Sequence, residues 1–346
     1  MRRESAPGPL GPLMCDLAGT ALLESESRWL ADPAVGGIIL FARNLESPGQ
    51  MRALCDAIRA VRPALLIAID QEGGRVQRLR QGVTELPPMA ALGAHYRRSP
   101  DQGLTLARDT GWLLAMEMAA CGVDFSFAPV LDLDDARCPA IGDRAFSNRP
   151  EEVVALGGAF IEGLVEAGMA AVGKHFPGHG GVTLDSHLTL PEDARSLATL
   201  EARDLIPFRR LLPVLAGVMP AHVRFTRVDE QPAGFSRRWL SLLREVYGFQ
   251  GAIVSDDLSM QGAAVAGGPA ERVLAALEAG CDLTLVCNDA EAACQARRAL
   301  DDRSLSILQQ QRLSGLRFRG VRHDMMALTD LERWQSTRRR LAALAP

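Results

Sequence analysis

Hydrophobic residues along the chain fall in short runs, and longer segments with helical periodicity separate most of them. Alternation of this kind is typical of βα units in a largely parallel sheet. The eight predicted strands are Leu13–Leu17, Val35–Phe41, Leu65–Asp70, Asp124–Leu131, Ala170–His175, Gly217–Ala221, Ala252–Asp256 and Leu283–Cys287. The predicted helices include Pro48–Val61, Gln102–Ala120, Pro150–Ala167, Leu197–Leu212 and Pro269–Ala279.

Eight βα repeats between about residues 10 and 300 favour a single (β/α)8 barrel over a doubly wound sheet. Periodicity does not determine whether the sheet closes, so the open sheet remains an alternative. No linker divides the chain, and we expect residues 1–346 to form one catalytic domain. Its core would span about 10–300. The charged segment 301–346 would form one or two helices packed on the barrel, with Arg338–Arg340 on a solvated face.

Composition and charge exclude several classes of protein. A net charge of −4 gives no electrostatic support for a nucleic-acid or anionic-membrane partner. No apolar run is long enough for a transmembrane helix, and Asp16 interrupts the only candidate for a signal sequence. The seven cysteines are scattered, which is typical of buried free thiols in a reducing compartment. We therefore expect a cytoplasmic protein.

Polar residues follow most of the predicted strands. In a barrel the catalytic groups lie at the carboxyl ends of the strands, and packing alone does not explain such a ring. These strand ends carry Asp16, Phe41, Asp70, Asp132, Lys174, His175, His222, Asp256, Asp257 and Asn288.

The segment GKHFPGHGGVTLDSH, residues 173–187, is the richest in candidate chemistry. In an extended chain Asp185 and His187 would point the same way, so the carboxylate could orient the imidazole and stabilise its protonated form. Such a pair could donate and accept protons near neutral pH. An isolated histidine is more often a hydrogen-bonded structural residue, but three histidines in one segment favour a functional role.

Two different chemistries remain possible for the same segment. Its histidines and carboxylate are suitable ligands for zinc or iron: His175, His179, Asp185 and His187. Their spacing does not match a helical site, because Pro177 and Gly178 interrupt any helix. Lys174 could instead act as a Schiff-base lysine, as in barrel aldolases.

Two further loops carry candidate binding residues. In DQEGGRVQR, Asp70 and Arg78 could bind hydroxyl groups of a polar ligand, although the motif could equally be a glycine turn with a capping carboxylate. In AIGDRAF, Arg144 could join them or be a surface arginine. In VSDDLSM, neighbouring side chains of a strand point to opposite faces, so Asp256 and Asp257 are not two equivalent catalysts.

Together these motifs resemble glycoside hydrolase family 3, and within it the single-domain bacterial β-N-acetylglucosaminidases of peptidoglycan recycling. The matching stretches are GGIILFARN, DQEGGRVQR, FSFAPVLDLD, GKHFPGHG, DSH, MPAH and SDDLSM. The resemblance implies a barrel with Asp256 as nucleophile, His187 as general acid/base and Asp185 as the partner of His187. It also implies that the N-acetylglucosamine unit is bound by Asp70, Arg78, Arg144, Lys174 and His175.

The resemblance further implies retaining hydrolysis of N-acetylglucosaminyl-1,6-anhydro-N-acetylmuramic acid, with or without its peptide. No metal or organic cofactor is expected, and we expect a monomer. The low aromatic content of 5% suits a short substrate. Three possibilities besides this one stay open: a substrate-assisted hexosaminidase, an N-acetylglucosaminide phosphorylase, and a non-catalytic sugar-sensing module.

Overall fold

A computed structural model describes residues 8–186, 189–301 and 303–344, and its centre is a closed barrel of eight parallel strands. Around the barrel each strand pairs with its sequence neighbours, and the last strand pairs with the first. The open-sheet alternative is therefore wrong and the predicted (β/α)8 barrel is confirmed. The strands are β1 Leu13–Cys15, β2 Val35–Leu40, β3 Leu66–Ile69, β4 Phe125–Ser126, β5 Ala170–Phe176, β6 Gly217–Pro220, β7 Ala252–Asp257 and β8 Leu283–Leu285.

Helices follow the barrel strands, and two of them have the predicted bounds because local signals fix both ends. Helix α2 begins at Pro48, and the Ser47 side chain before it caps the helix by accepting a hydrogen bond from the Gln50 amide at 3.2 Å. Helix α9 ends before Gly280, whose φ of 124° few other residues adopt. The helices are α1 Glu24–Leu30, α2 Pro48–Val61, α3 Met89–Arg98, α4 Pro100–Ala120, α5 Pro150–Glu166, α6 Leu197–Glu201, α7 Leu205–Leu211, α8 Arg237–Ser241, α9 Pro269–Ala279, α10 Ala290–Arg298, α11 Ile307–Ser314, α12 Met325–Thr329 and α13 Glu332–Ala342.

Proline explains the two largest departures from the predicted elements. The strand predicted at Asp124–Leu131 is reduced to β4, because Pro129 has no amide to donate to a neighbouring strand; Val130 returns to the sheet as an isolated bridge to Lys174. The helix predicted at Leu197–Leu212 divides into α6 and α7. A continuous helix would bring the Pro207 ring against the carbonyl of residue 203, whereas a new start at Leu205 puts Pro207 in the first turn.

The segment after residue 303 forms three helices rather than one or two, and they pack on the barrel. The Trp334 indole donates to the buried Glu117 carboxylate at 2.9 Å. Arg338 and Arg339 are exposed as predicted, whereas the partly exposed Arg340 forms an ion pair with the buried Asp109.

All seven cysteines are free, and six of them are buried. Only Cys15 lies within a strand; Cys281 and Cys287 flank β8. Across the part of the chain that the structure describes, none of the helices has the length and apolar character that crossing a bilayer requires.

Candidate active site

A cavity of about 450 Å³ opens at the carboxyl ends of the barrel strands, where catalytic groups lie in this fold. Its volume lies in the usual range for small-molecule sites. Seven of the eight predicted site residues line it: Asp70, Arg78, Arg144, Lys174, His175, Asp185 and Asp256. The eighth, His187, lies outside the described residues.

The polar strand ends divide into residues that line this cavity and residues that do not. Asp16 lines a neighbouring cavity instead. Asp132 is buried beneath His175, and the buried His222 ring faces the Asp257 carbonyl, with 3.1 Å between Nε2 and the oxygen. Packing and hydrogen bonding therefore explain Asp132 and His222, which do not line the cavity.

One wall of the cavity is a group of ion-paired side chains that we call the charged cluster: Asp70, Glu72, Arg78, Arg144 and Lys174. The Lys174 ammonium lies 2.8 Å from Asp70 Oδ1 and 2.6 Å from Glu72 Oε1. Arg144 donates to both oxygens of Glu72 at 2.8 Å. Arg78 makes one longer contact, 3.4 Å, with Asp70 Oδ2. Two carboxylates therefore compensate three cations in this cluster.

Glu72 holds the charged cluster together, although it was not among the site residues predicted from the sequence. It lies two residues after Asp70, at the start of the hairpin formed by Gln71–Gly73 and Val76–Gln77. Alternation along an extended segment puts positions 70 and 72 on one face. The spacing of Asp70 and Glu72 within DQEGG could therefore have identified Glu72 as a site residue. The spacing does not identify its distant partners, Arg144 and Lys174.

The charged cluster fixes the protonation of its members. Burial opposes ionisation of Glu72, but Arg144 and Lys174 outweigh it and hold the pKa of Glu72 well below its ordinary value. Burial likewise disfavours the ammonium form of Lys174, but Asp70 and Glu72 raise the pKa of Lys174 overall. A Schiff-base lysine needs an accessible free amine. The charged, ion-paired Lys174 therefore does not favour the aldolase-like alternative.

Arg78 has hydrogen-bonding capacity left for a ligand. Its guanidinium carbon lies 5.6 Å from the centre of the Phe41 ring, and Arg43 stacks on the same ring at 4.9 Å. The buried Nε atom of Arg78 has no hydrogen-bond partner among the described residues. The Arg78 side chain as a whole is 31% exposed and lines the cavity, so its terminal nitrogens can donate to a ligand.

Next to the cavity lies a second group, the histidine network: Asp132, Cys138, His175, His179 and Ser186, of which His175 lines the cavity. The Asp132 carboxylate lies 2.6 Å from His175 Nδ1 and accepts the backbone amide of His179 at 2.7 Å. The two ring nitrogens of His179 face Cys138 Sγ at 3.3 Å and Ser186 Oγ at 2.9 Å. Protein groups thus occupy both nitrogens of His179. In this conformation His179 is not available as a metal ligand.

Asp256 and Asp257 end β7 and are bound differently. Asp256 Oδ1 accepts the backbone amide of Asp257 at 2.8 Å. Asp257 Oδ1 accepts the amides of Ser259 and Cys287, at 3.0 and 3.1 Å, and the Ser259 hydroxyl. Burial raises the pKa of Asp257 to about 6, against the effect of these bonds. Although both residues line the cavity, Asp257 braces the turn after β7, which agrees with the predicted difference between the two aspartates.

The pairing of Asp185 with His187 was expected in an extended segment. Asp185 lies outside the strands and lines the cavity, and Ser186 lies in a turn. The expected extended conformation is therefore not found at Asp185 and Ser186. Because His187 is outside the described residues, its pairing with Asp185 stays a prediction.

The chain has close relatives of known family. Residues 14–312 match the N-terminal domain of glycosyl hydrolase family 3. A β-hexosaminidase of Methylococcus capsulatus is 53% identical over 325 residues, covering 93% of this chain and 96% of the relative. A β-hexosaminidase of Pseudomonas aeruginosa is 53% identical over 311 residues, covering 90% and 92%.

Solved structures support the same family assignment. Native NagZ from Neisseria gonorrhoeae has a TM-score of 0.92 and 44% identity, covering 98% of each chain. The same enzyme in complex with N-trifluoroacetyl-D-glucosamine has a TM-score of 0.92 and 44% identity, covering 98% of this chain and 99% of that chain. The protein belongs to glycoside hydrolase family 3 and is a β-N-acetylhexosaminidase.

Proposed function

We propose that the protein removes terminal β-linked N-acetylglucosamine from N-acetylglucosaminyl-1,6-anhydro-N-acetylmuramic acid, with or without its peptide, by retaining hydrolysis. The observation that carries the proposal is the composition of the cavity: Asp256 at the end of β7 shares it with Asp185 and the charged cluster. The structural relative bound to N-trifluoroacetyl-D-glucosamine supports an N-acetylglucosamine-type ligand.

The proposed reaction has two steps. Asp256 attacks the anomeric carbon while His187 donates a proton to the leaving oxygen, and a covalent glycosyl-aspartate forms. His187 then removes a proton from water, which attacks the anomeric carbon and releases the sugar. Asp185 would orient the His187 ring and stabilise its protonated form. No step in this scheme requires a metal or organic cofactor.

The remaining residues would bind the sugar. Asp70 and Lys174 present acceptor and donor groups to hydroxyls, and Arg78 offers guanidinium N–H donors. Arg144 is held by Glu72 at the edge of the cavity. His175, oriented by Asp132, would complete the contacts. Because ion pairs already fix these side chains, little side-chain entropy would be lost on binding.

The wider role is proposed by analogy with the relatives. We infer that the enzyme acts in peptidoglycan recycling in the cytoplasm, as one catalytic unit that includes the tail helices and functions as a monomer. The seven free cysteines are consistent with a reducing compartment. Fractionation and light scattering would test the compartment and the oligomeric state.

The decisive experiment is NMR of the first-formed product anomer from a defined N-acetylglucosaminide, followed by trapping with a slow fluoro-sugar. We expect the β-anomer first and a glycosyl group on the peptide that contains Asp256. An α-anomer would contradict retention. Retention without a labelled aspartate would favour attack by the substrate acetamido group.

Three simpler assays distinguish hydrolysis from phosphorolysis, sugar sensing and metal catalysis. A sugar-1-phosphate formed only when phosphate is present would identify a phosphorylase. Absence of turnover of an aryl N-acetylglucosaminide by the wild-type protein would favour a sugar-sensing module. Loss of turnover in EDTA would favour a metal site.

A further inference from the structure

A buried chain of hydrogen bonds connects three segments next to the cavity. Cys138 lies in the loop that also carries Arg144, His179 follows β5, and Ser186 directly follows the cavity-lining Asp185. The distances are 3.3 Å from Cys138 Sγ to His179 Nδ1 and 2.9 Å from His179 Nε2 to Ser186 Oγ. All three side chains are buried. Hydrogen bonds in such surroundings restrict position strongly, because water cannot replace them.

The protonation of this chain of hydrogen bonds follows from its surroundings. Burial, assisted by the nearby His175, lowers the pKa of His179 to about 4, so the ring is neutral at pH 7. Burial raises the pKa of the Cys138 thiol, which therefore keeps its proton. When the thiol donates to Nδ1, the single ring proton is on Nε2, which donates to the Ser186 hydroxyl.

His179 is itself fixed. Its backbone amide donates to Asp132 Oδ1 at 2.7 Å, and Asp132 also accepts from His175. Burial opposes ionisation of Asp132, but His175 outweighs it and lowers the pKa of Asp132. The carboxylate thus holds the cavity-lining His175 and the backbone of His179 together.

Ser186 is held from its other side as well. Its carbonyl accepts the Gly262 amide at 3.0 Å, and Gly262 lies in the 3-10 helix Gln261–Ala266, which follows β7 and the two aspartates. A Cβ atom at position 262 would lie 3.0 Å from the same carbonyl oxygen, so only glycine permits this approach without a shift. Ser186 therefore connects the loop after β5 to the 3-10 helix that follows the strand carrying Asp256.

We propose that Ser186, held by His179 and Gly262, is a positioning residue that sets where its sequence neighbours Asp185 and His187 stand relative to Asp256. This inference rests on the proposed function, in which those neighbours form the acid/base pair. Ser186 itself contacts no reacting atom in this proposal. Its contribution is geometric, and small displacements of a catalytic group are costly.

The test compares three variants on two substrates of different leaving-group ability. The variants are Ser186→Ala, His179→Asn and His179→Gln. Glutamine can place an N–H donor near the position of Nε2, whereas asparagine reaches only the position of Nδ1. The substrates are an N-acetylglucosaminyl disaccharide, whose leaving group needs protonation, and an aryl N-acetylglucosaminide with an acidic phenol, which does not.

We expect Ser186→Ala and His179→Asn to lower kcat/KM for the disaccharide by about 10- to 100-fold, up to the lower end of the range for general acid catalysis. For the activated aryl glycoside the loss of kcat/KM should be within about threefold, because kcat/KM reports the first step, in which that leaving group needs no proton. His179→Gln should recover most of the loss seen in His179→Asn. Thermal unfolding of each variant would show whether it is folded.

His187→Ala, measured on both substrates, separates the two levels of inference. If kcat/KM of His187→Ala also falls more for the disaccharide than for the aryl glycoside, the proposed acid role stands. Equal losses of kcat/KM on the two substrates by Ser186→Ala would then overturn the positioning inference alone. Equal losses by His187→Ala would overturn the proposed acid role and the inference with it. A His179→Gln variant no better than His179→Asn would also contradict the inference.

Discussion

The charged cluster and the histidine network hold their polar groups by different means. In the charged cluster, Lys174 and Arg144 are neutralised by carboxylates at 2.6–2.8 Å. In the histidine network, Asp132 supplies the carboxylate, and the neutral His179 ring connects Cys138 to Ser186. Loss of a carboxylate leaves an uncompensated buried cation in the first case, and loss of a neutral side chain leaves an unsatisfied neutral group in the second.

That difference predicts different costs. An uncompensated buried charge costs several kcal/mol, whereas an unsatisfied neutral hydrogen-bonding group costs about 1–3 kcal/mol. The charged cluster should therefore tolerate substitution less well than the histidine network. We expect substitutions in the charged cluster to weaken sugar binding and stability. We expect substitutions in the histidine network to slow proton transfer. Substitutions at Asp256, Glu72 and Asp257 sharpen this contrast, and one at Glu166 is the control.

The largest expected effect belongs to Asp256, which lies in neither group and sets the upper limit for both. Asp256→Ala should lower kcat by at least about 10³-fold with an intact fold, because the nucleophile is lost. Steady-state kinetics with an aryl N-acetylglucosaminide and a thermal unfolding curve would measure both. Turnover within tenfold of wild type would exclude Asp256 as the nucleophile.

Glu72→Gln tests the charged cluster. It keeps the side-chain shape but leaves Arg144 and Lys174 with one carboxylate fewer, so the free energy of unfolding should fall by about 2–4 kcal/mol. KM should rise about 10-fold or more, with a smaller change in kcat, because ground-state and transition-state contacts weaken together. Chemical denaturation and steady-state kinetics would measure the two effects.

Glu166→Gln is the matched control for that experiment. Glu166 also pairs with two arginines, Arg108 and Arg333, but it is exposed and lies on α5, away from the cavity. Its substitution should change stability by less than about 1 kcal/mol and leave KM unaltered. Equal effects of the two variants would show that Glu72 has no special part in organising the sugar-binding residues.

The same contrast explains what the sequence could and could not predict. Strand and helix positions follow from local signals, such as Ser47-Pro48 before α2 and Gly280 after α9, and their number favours a barrel. Some candidate residues, such as Asp70 and Asp256, were identifiable because barrel chemistry lies at strand ends, whereas those in loops were identified from loop motifs and the family resemblance. Seven of them do line one cavity.

The partners of those residues were not predictable, since they come from distant segments. Arg144 and Glu72 are 72 positions apart, and His175 and Asp132 are 43 apart. The local conformation predicted for Asp185 and Ser186 was also wrong, because glycines and tertiary contacts such as Gly262 to Ser186 determine the path of that loop. Local periodicity carries no information about such contacts.

Among the cavity-lining residues tested, the smallest expected effect belongs to Asp257. Asparagine retains an oxygen that can accept the amides of Ser259 and Cys287, so Asp257→Asn should keep kcat within about tenfold. Asp257→Ala loses these bonds and should have a lower melting temperature than Asp257→Asn.

The sharper measurement is how the difference in melting temperature between Asp257→Asn and the wild type depends on pH. The pKa of Asp257 is raised to about 6 in the folded protein, so above pH 6 the wild type carries a buried charge that folding disfavours. As the pH falls from 8 towards 4, protonation of Asp257 relieves this cost in the wild type, while the asparagine variant has no such group. The melting temperature of the variant minus that of the wild type should therefore be most positive near pH 8 and decrease through pH 6. A difference that does not change with pH would show that Asp257 titrates normally and that its hydrogen bonds alone determine its role.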